Sequence, residues 1–532
     1  MRYYWLYALS LLTAAPLTDI ATPLVPWDNM RMKHAWNTVP ANWESLGHPP
    51  AGTTIDLYIA LRPCQESALI DALYEVSDPT HPRHVLLTTP PLEPYSRVPL
   101  FRFRYGAHLS KEQVAELVRP YPDTLELVSS WLVHHGVRSS SISTTHGGAW
   151  LTVTDVLVSQ ANQLLGASYQ LYRHAERNDT IIRTVGYALP AVLHTHIQTV
   201  APTTDFASAR VLPQTPRRHH VREAAAQADP ASRELVTVLS GRDDEDEVTT
   251  SLLRLLYKTS AYVPAATDKN SLGVLGLMNE YPSQADLTKF MTDFRNDARA
   301  ATFTVEQVNG GGNDPSNPGM EANVDIQYTG AMAYPTPLIY YSTGGYGRWS
   351  AATGEPLPGD AYLVWLRYML DQPKVPQTIS VSYALPERDR PLEYATALCD
   401  LFLQLGVRGV SVLVSSGDNG VGPEDCNDGS GNVRFVPEFP ASCTCLVLLQ
   451  LASTTQAQEQ VAYQIALVSQ VPTSLASVAL VTTSPRSRRS CLEAASRSTF
   501  HALTTRTERY PNSSTTSAAS MPASTSALAA VT

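Results

Sequence analysis

Apolar and polar residues follow two different periods along this chain. Residues 53–63, TTIDLYIALRP, alternate at every second position, as on a half-buried strand. QESALIDALYEVSD (65–78) and KEQVAELVRPY (111–121) instead carry the three-and-four spacing of an amphipathic helix, and AWLTVTDVLVSQANQLLGASYQLYRH (149–174) reads strand, helix, strand. Residues 20–215 therefore predict an α+β domain. Within it, His84–Phe103 keeps neither period and contains Pro90, Pro91, Pro94 and Pro99, which predicts an inserted loop.

Further along, apolar runs of strand length, NSLGVLGLMNEY (270–281), QTISVSYAL (377–385) and GVSVLVSS (409–416), alternate with the helical runs QADLTKFMTDFRNDA (284–298) and EYATALCDLFLQLG (393–406). Continuously apolar strands separated by helices predict a parallel sheet covered on both faces. Ligands bind such sheets beyond the carboxyl ends of the strands, and GVSVLVSSGDNG leaves Asp418 just past one of those ends.

Other stretches divide the chain. Residues 1–19 begin with one arginine and an apolar run from Tyr3 to Ala15, too short for a membrane helix and suited to a secretory signal. Residues 216–247 are charged and alanine-rich with an acidic end, as expected of a linker open to processing. From 446 to 532 the chain is dominated by Ala, Ser and Thr; no glycine follows Gly431 and no aspartate follows Asp428, so a low-complexity, disordered tail is expected. The domain between them spans 248–445.

With 532 residues, more than one domain is required. A formal net charge of -10 argues against a nucleic-acid partner, and no later segment is apolar enough to span a membrane. Six cysteines (64, 399, 426, 443, 445 and 491) suit an exported protein with disulfides of unreadable connectivity, and none has metal-site spacing. Thirteen of the fourteen histidines lie between His34 and His220, and none lies between Val221 and Phe500. Chemistry in that stretch must use carboxylates in place of an imidazole base.

Glu321 and Asp325 supply a candidate. They follow a glycine-rich turn in NGGGNDPSNPGMEANVDIQYTGAMAYPTP (309–337) and, four apart on a helix, share one face. Mutual repulsion should raise one pKa of the pair, so that a proton is shared and the pair works best in acid. A solvated acidic helix face is the plainer reading of such a pair. A phosphate loop is excluded, because no Gly-Lys-Ser/Thr follows.

GGGNDPSNPGMEANVDIQY, PTPLIYYSTGG, ISVSYALPE, LGVRGVSVLVSSGDNGVG and RFVPEFPASC, in this order, resemble the sedolisins, serine-carboxyl peptidases that include tripeptidyl peptidases of fungi and animals. DALYEVSDPTHPR, YGAHLSKEQVAELV and WLVHHGV resemble their propeptide. The resemblance covers about residues 34–443. It implies an α/β fold with a subtilisin-like parallel sheet and flanking helices, incomplete here, preceded by the α+β propeptide. It also implies that Glu321 is the general base toward a nucleophilic serine, that Asp325 orients it, and that Asp418, protonated in acid, donates to the oxyanion. Asn419 stands where the family usually has serine, a position that does not carry the nucleophile.

The same resemblance implies a secreted, acid-acting, monomeric zymogen that cleaves peptides or proteins, releases tripeptides from N-termini, binds calcium and is inhibited by its own propeptide. The family's Gly-Thr-Ser-Ala loop occurs nowhere in this chain, and the aspartate-rich calcium site is not recognisable. This chain is therefore expected to be inactive as translated. A frame change or retained intron near Cys443 would account for the loss, and a retained intron would equally account for His84–Phe103. The alternative is a non-catalytic homologue that binds or inhibits peptidases through its propeptide. The histidine-rich propeptide further suggests a pH switch in which histidines buried neutral against the catalytic domain charge as pH falls between 6 and 4 and release it, with His134, His135, His194 and His196 as the first ones to replace in testing it.

Overall fold

The computed structural model describes residues 27–77, 106–175, 180–207, 249–349, 356–358, 360–415, 437–443 and 447–449. The signal segment 1–19, the insert 84–103, the linker 216–247, Asp418 with Asn419, and the tail apart from 447–449 lie outside the described residues.

The first domain contains β1 (Met30–Ala35), β2 (Trp43–Gly47), β3 (Thr54–Leu61), β4 (Ile142–Thr144), β5 (Trp150–Leu157), β6 (Gln170–His174), β7 (Thr180–Arg183), β8 (Gly186–Pro190) and β9 (Ile197–Ala201). Its helices are α1 (Ala68–Ser77), α2 (Lys111–Leu117), α3 (Thr124–His134) and α4 (Val158–Leu165). The alternating run became β3, which lies inside an antiparallel sheet of order β4-β5-β3-β9. Its Ile55, Leu57 and Ile59 point into a core with Trp131, Leu132, Val153, Leu164 and Tyr169. Each fully buried aliphatic side chain stabilises this core by about 1.5–3 kcal/mol.

Local signals set the helix ends. At α2, Ser110 Oγ accepts from the Gln113 N–H while Gln113 Oε1 accepts from the Ser110 N–H, a reciprocal cap. At the end of α4, Gly166 takes a left-handed φ of 52°, which a Cβ would disfavour.

The second domain adds β10 (Leu272–Gly276), β11 (Phe303–Val308), β12 (Leu338–Thr343), β13 (Tyr346–Trp349), β14 (Pro356–Pro358), β15 (Thr378–Val381), β16 (Leu385–Pro386), β17 (Ser411–Ser415), β18 (Glu438–Phe439) and β19 (Val447–Leu449). Its helices are α5 (Thr250–Leu256), α6 (Gln284–Phe294), α7 (Met320–Ala333), α8 (Ala361–Asp371) and α9 (Leu392–Val407). Six strands form one wholly parallel sheet of order β11-β12-β10-β15-β17-β19. Val274 packs under α6 and α7 with Leu287, Met291, Ala322 and Ile326, whereas its neighbour Leu275 faces α8 and α9 with Trp365, Leu366, Leu398 and Phe402. Alternate residues of one strand thus feed two cores, which is why the strand reads as continuously apolar. The sheet continues past the expected boundary at 445, because Val447–Leu449 pairs in parallel with β17.

The two domains share apolar surface. Leu69, Ala72, Leu109, Val114 and Val118 of the first cluster with Leu403 and Val407 of α9. Arg367 of α8 donates to Thr152 Oγ1 at 2.6 Å and stacks 5.0 Å over the Tyr58 ring. Arg390 is buried between Asp205 of the first domain, at 3.4 Å, and Asp360 of the second, at 2.9 Å.

The four histidines chosen for testing the switch do not face the second domain. His134 and His135 pack on each other and on Trp27 and Trp131, His194 bonds to the Arg31 carbonyl, and His196 bonds to Thr124, all within the first domain. His108 and His34 instead approach the second domain, at Gly409 and near Glu393.

Candidate functional site

The carboxyl ends of β10 and β15 and the N-terminus of α7 meet at one edge of the parallel sheet, where open α/β sheets bind ligands. Glu321 lies in the first turn of α7 and is only 8% exposed, so the solvated-face reading fails. Asp325, one turn on, accepts at Oδ1 from Ser382 Oγ at 2.6 Å, just beyond the end of β15. Its Oδ2 is buried with no hydrogen-bond partner. Burial pushes the Asp325 carboxyl up to about 7; the Ser382 hydrogen bond opposes this, and the charge of Glu280 adds to it. The expected rise of one pKa is present, but its causes differ from mutual repulsion with Glu321: burial comes first and the neighbouring charge is Glu280.

Glu280 was not singled out in the sequence. It follows β10, and its Oε2 accepts from the backbone N–H groups of Glu321 at 2.8 Å and Ala322 at 3.2 Å. Tyr340 Oη donates to the Glu280 carbonyl at 2.8 Å, and Tyr383 Oη donates to the Leu277 carbonyl at 3.3 Å. The chain reaches Glu280 through Met278 and Asn279, both left-handed with φ of 63° and 58°. Each such non-glycine residue costs on the order of 1–3 kcal/mol, and consecutive ones at a strand end mark a segment held by its surroundings. A second strap fixes α7 to α6: Asn323 Oδ1 accepts from the Ser283 N–H at 2.9 Å and its Nδ2 donates to Asp286 at 2.8 Å.

The structure therefore brings Glu321 and Asp325 together with Glu280, Ser382, Tyr340 and Tyr383. Asp418 follows β17 in the chain but lies outside the described residues. Among the described residues no group of three or more His, Cys, Asp or Glu side chains could hold a metal ion. A half-buried carboxylic acid one helical turn from a buried glutamate can hold and pass a proton in mild acid, chemistry that elsewhere in proteins falls to histidine.

Residues 102–206 match the family model for the pro-kumamolisin activation domain. Tripeptidyl-peptidase SED2 of Arthroderma otae is 32% identical over 431 residues, covering 78% of this chain and 66% of that protein. A probable tripeptidyl-peptidase SED2 of Trichophyton verrucosum is 32% identical over 418 residues, covering 76% and 64%. This chain thus spans about two thirds of the length of these relatives. A Pseudomonas sedolisin, described as a serine-carboxyl proteinase complexed with two molecules of pseudo-iodotyrostatin, aligns at 20% identity over 39% of this chain and 55% of that one. Its TM-score of 0.29 is too low to bear on the fold.

Proposed function

The chain belongs to the sedolisin family and carries that family's activation propeptide, and from that premise we propose that the complete protein is a secreted, acid-acting serine-type peptidase. The observation that carries this reading is the placement of Glu321 and Asp325 on one helix at the carboxyl edge of the sheet, with Glu321 buried and Asp325 hydrogen-bonded to Ser382. In this reading Glu321 takes the proton from a serine nucleophile, Asp325 orients Glu321, and Asp418 donates to the oxyanion of the tetrahedral intermediate. A glutamate serves as base only where the ambient pH is near its own pKa, which sets the acid range.

The remaining features of the proposal rest on the relatives. Two named as tripeptidyl-peptidases support release of tripeptides from N-termini, and the activation domain supports intramolecular inhibition of a monomeric zymogen. Calcium belongs to the proposal for the complete enzyme only. The 532-residue chain contains no Gly-Thr-Ser and in this reading hydrolyses no peptide. That missing triplet is also what favours the second reading, a non-catalytic homologue that binds peptidases through its propeptide.

The test is to recover transcripts across the Cys443 codon and express any product that regains a glycine-rich serine loop. Such a product should cleave peptides maximally in acid and release N-terminal tripeptides detectable by mass spectrometry. Asp418→Asn should cost about 10²–10³ in rate, and Glu321→Gln should be strongly impaired. An optimum near neutrality, or indifference to both changes, would sink the mechanism. If no transcript restores the loop, the non-catalytic reading stands.

A further inference from the structure

Helix α7 starts without a cap of its own. Its N-cap is Gly319, which has no side chain to accept a hydrogen bond, and the first-turn N–H groups of any helix need partners from outside the helix ladder. Those of Glu321 and Ala322 are met by Glu280, a carboxylate 41 and 42 residues earlier in the chain and beyond the end of a different element. The fit is close on both sides. A Cβ on Gly319 would fall on the Glu280 side chain, and Tyr340 secures the Glu280 backbone from the neighbouring strand β12.

We propose that Glu280 is a positioning residue, which fixes the N-terminus of α7, and with it Glu321 and Asp325, against the carboxyl ends of β10 and β15. A negative charge at a helix N-terminus is stabilised by the peptide dipoles, and hydrogen bonds to an ionised acceptor are the strong ones. The charge of Glu280 acts on Asp325, which also faces Ser382 and lies in the electrostatic reach of Tyr340 and Tyr383; Glu321 shares its helix. A fixed anion there favours the proton on Asp325, whose Oδ2 has no other partner. The same side chain thus bears both on where the pair sits and on how firmly Asp325 holds its proton. The functional meaning of this arrangement rests on the peptidase reading; its physical test does not.

Two variants of the 532-residue protein separate the effects. Glu280→Gln keeps an oxygen that accepts from the two N–H groups but removes the charge, and Glu280→Ala removes both. Hydrogen exchange of peptides spanning residues 319–323 should accelerate at least about tenfold in Glu280→Ala and change little in Glu280→Gln. The Asp325 midpoint, read by carboxyl carbon resonances of aspartate-labelled protein with Asp325→Asn for assignment, should fall in Glu280→Gln. Unchanged exchange in Glu280→Ala together with an unchanged midpoint in Glu280→Gln would overturn the role. If Glu280→Ala does not fold, the midpoint in Glu280→Gln decides alone. Both readouts are independent of turnover, so loss of the peptidase reading leaves them standing.

Discussion

Asp325 has one oxygen bonded to Ser382 and one without a partner, and its pKa in the fold lies at about 7, above the ordinary carboxylate value, chiefly because it is buried. Raised in the folded state, it contributes stability that is fully present below its unfolded value, about 4, and is lost as pH rises through about 7. This group should therefore cost the protein stability between about pH 4 and 7, on the order of 4 kcal/mol across that range. Asp325→Asn, which still accepts from Ser382 but cannot ionise, should flatten that loss in denaturant titrations. Parallel pH profiles for the two proteins would refute it. The acid pair was legible because Glu321 and Asp325 are one helical turn apart in sequence. Glu280 and Ser382 were not, since they lie 41 residues before Glu321 and 57 residues after Asp325 and meet the pair only after the parallel strands align. The cause assigned to the pKa rise failed for the same reason, because burial and a distant charge leave no local pattern.

Strongly periodic elements were the readable ones: β3, α1, α2 and α6 fall within the runs that predicted them, and α9 exceeds its run by one residue at each end. Helix α8, AYLVWLRYMLD, has both Tyr362 and Trp365 buried and lies outside the runs singled out from the sequence. Strand β19 was assigned to the tail on composition, yet three residues suffice to extend a sheet whose register is set by its neighbour. Cysteine pairing had no sequence signal at all. Cys399 on α9 is bonded to Cys443, 44 residues later, so the bond closes a long loop around β17 and β18. Cys399→Ser should lower stability by about 2–4 kcal/mol, measured under conditions that leave the other cysteines unmodified. A change below about 0.5 kcal/mol would mean that packing of α9 already holds the loop closed.

At the scale of the whole molecule, docking of the activation domain is coupled to protons in two opposing ways. Burial, then repulsion from Asp360, raise Asp205 to about 7, opposed by Arg390 and Arg183; burial raises Asp400, beside Gln198, to about 6. Both carboxyls favour the docked state in acid and weaken it as pH rises through those values. Burial lowers His34 and His108, so their contribution is lost as pH falls through the unfolded histidine value, about 6.5. The Leu109 N–H, bonded to the Val407 carbonyl across the interface at 2.9 Å, reports docking by hydrogen exchange. After correction for the intrinsic exchange rate, its protection should fall between about pH 4 and 7 in the parent and fall less over that range in Asp205→Asn. The pair His34→Gln and His108→Gln should raise it below pH 6. An unaltered profile in all variants would remove the linkage.

The seam where Leu69, Leu109 and Val114 meet Leu403 and Val407 has a further consequence. A backbone cut between the domains changes no contact across that seam, so the severed pieces remain one particle, as two halves of a zip stay closed when the tape beside them is slit. In the peptidase reading, maturation of such a protein would therefore take two separate events. The first breaks a covalent bond. The second wets Leu403, Val407 and the Arg390 guanidinium, and it is this wetting that sets how long the activation domain stays.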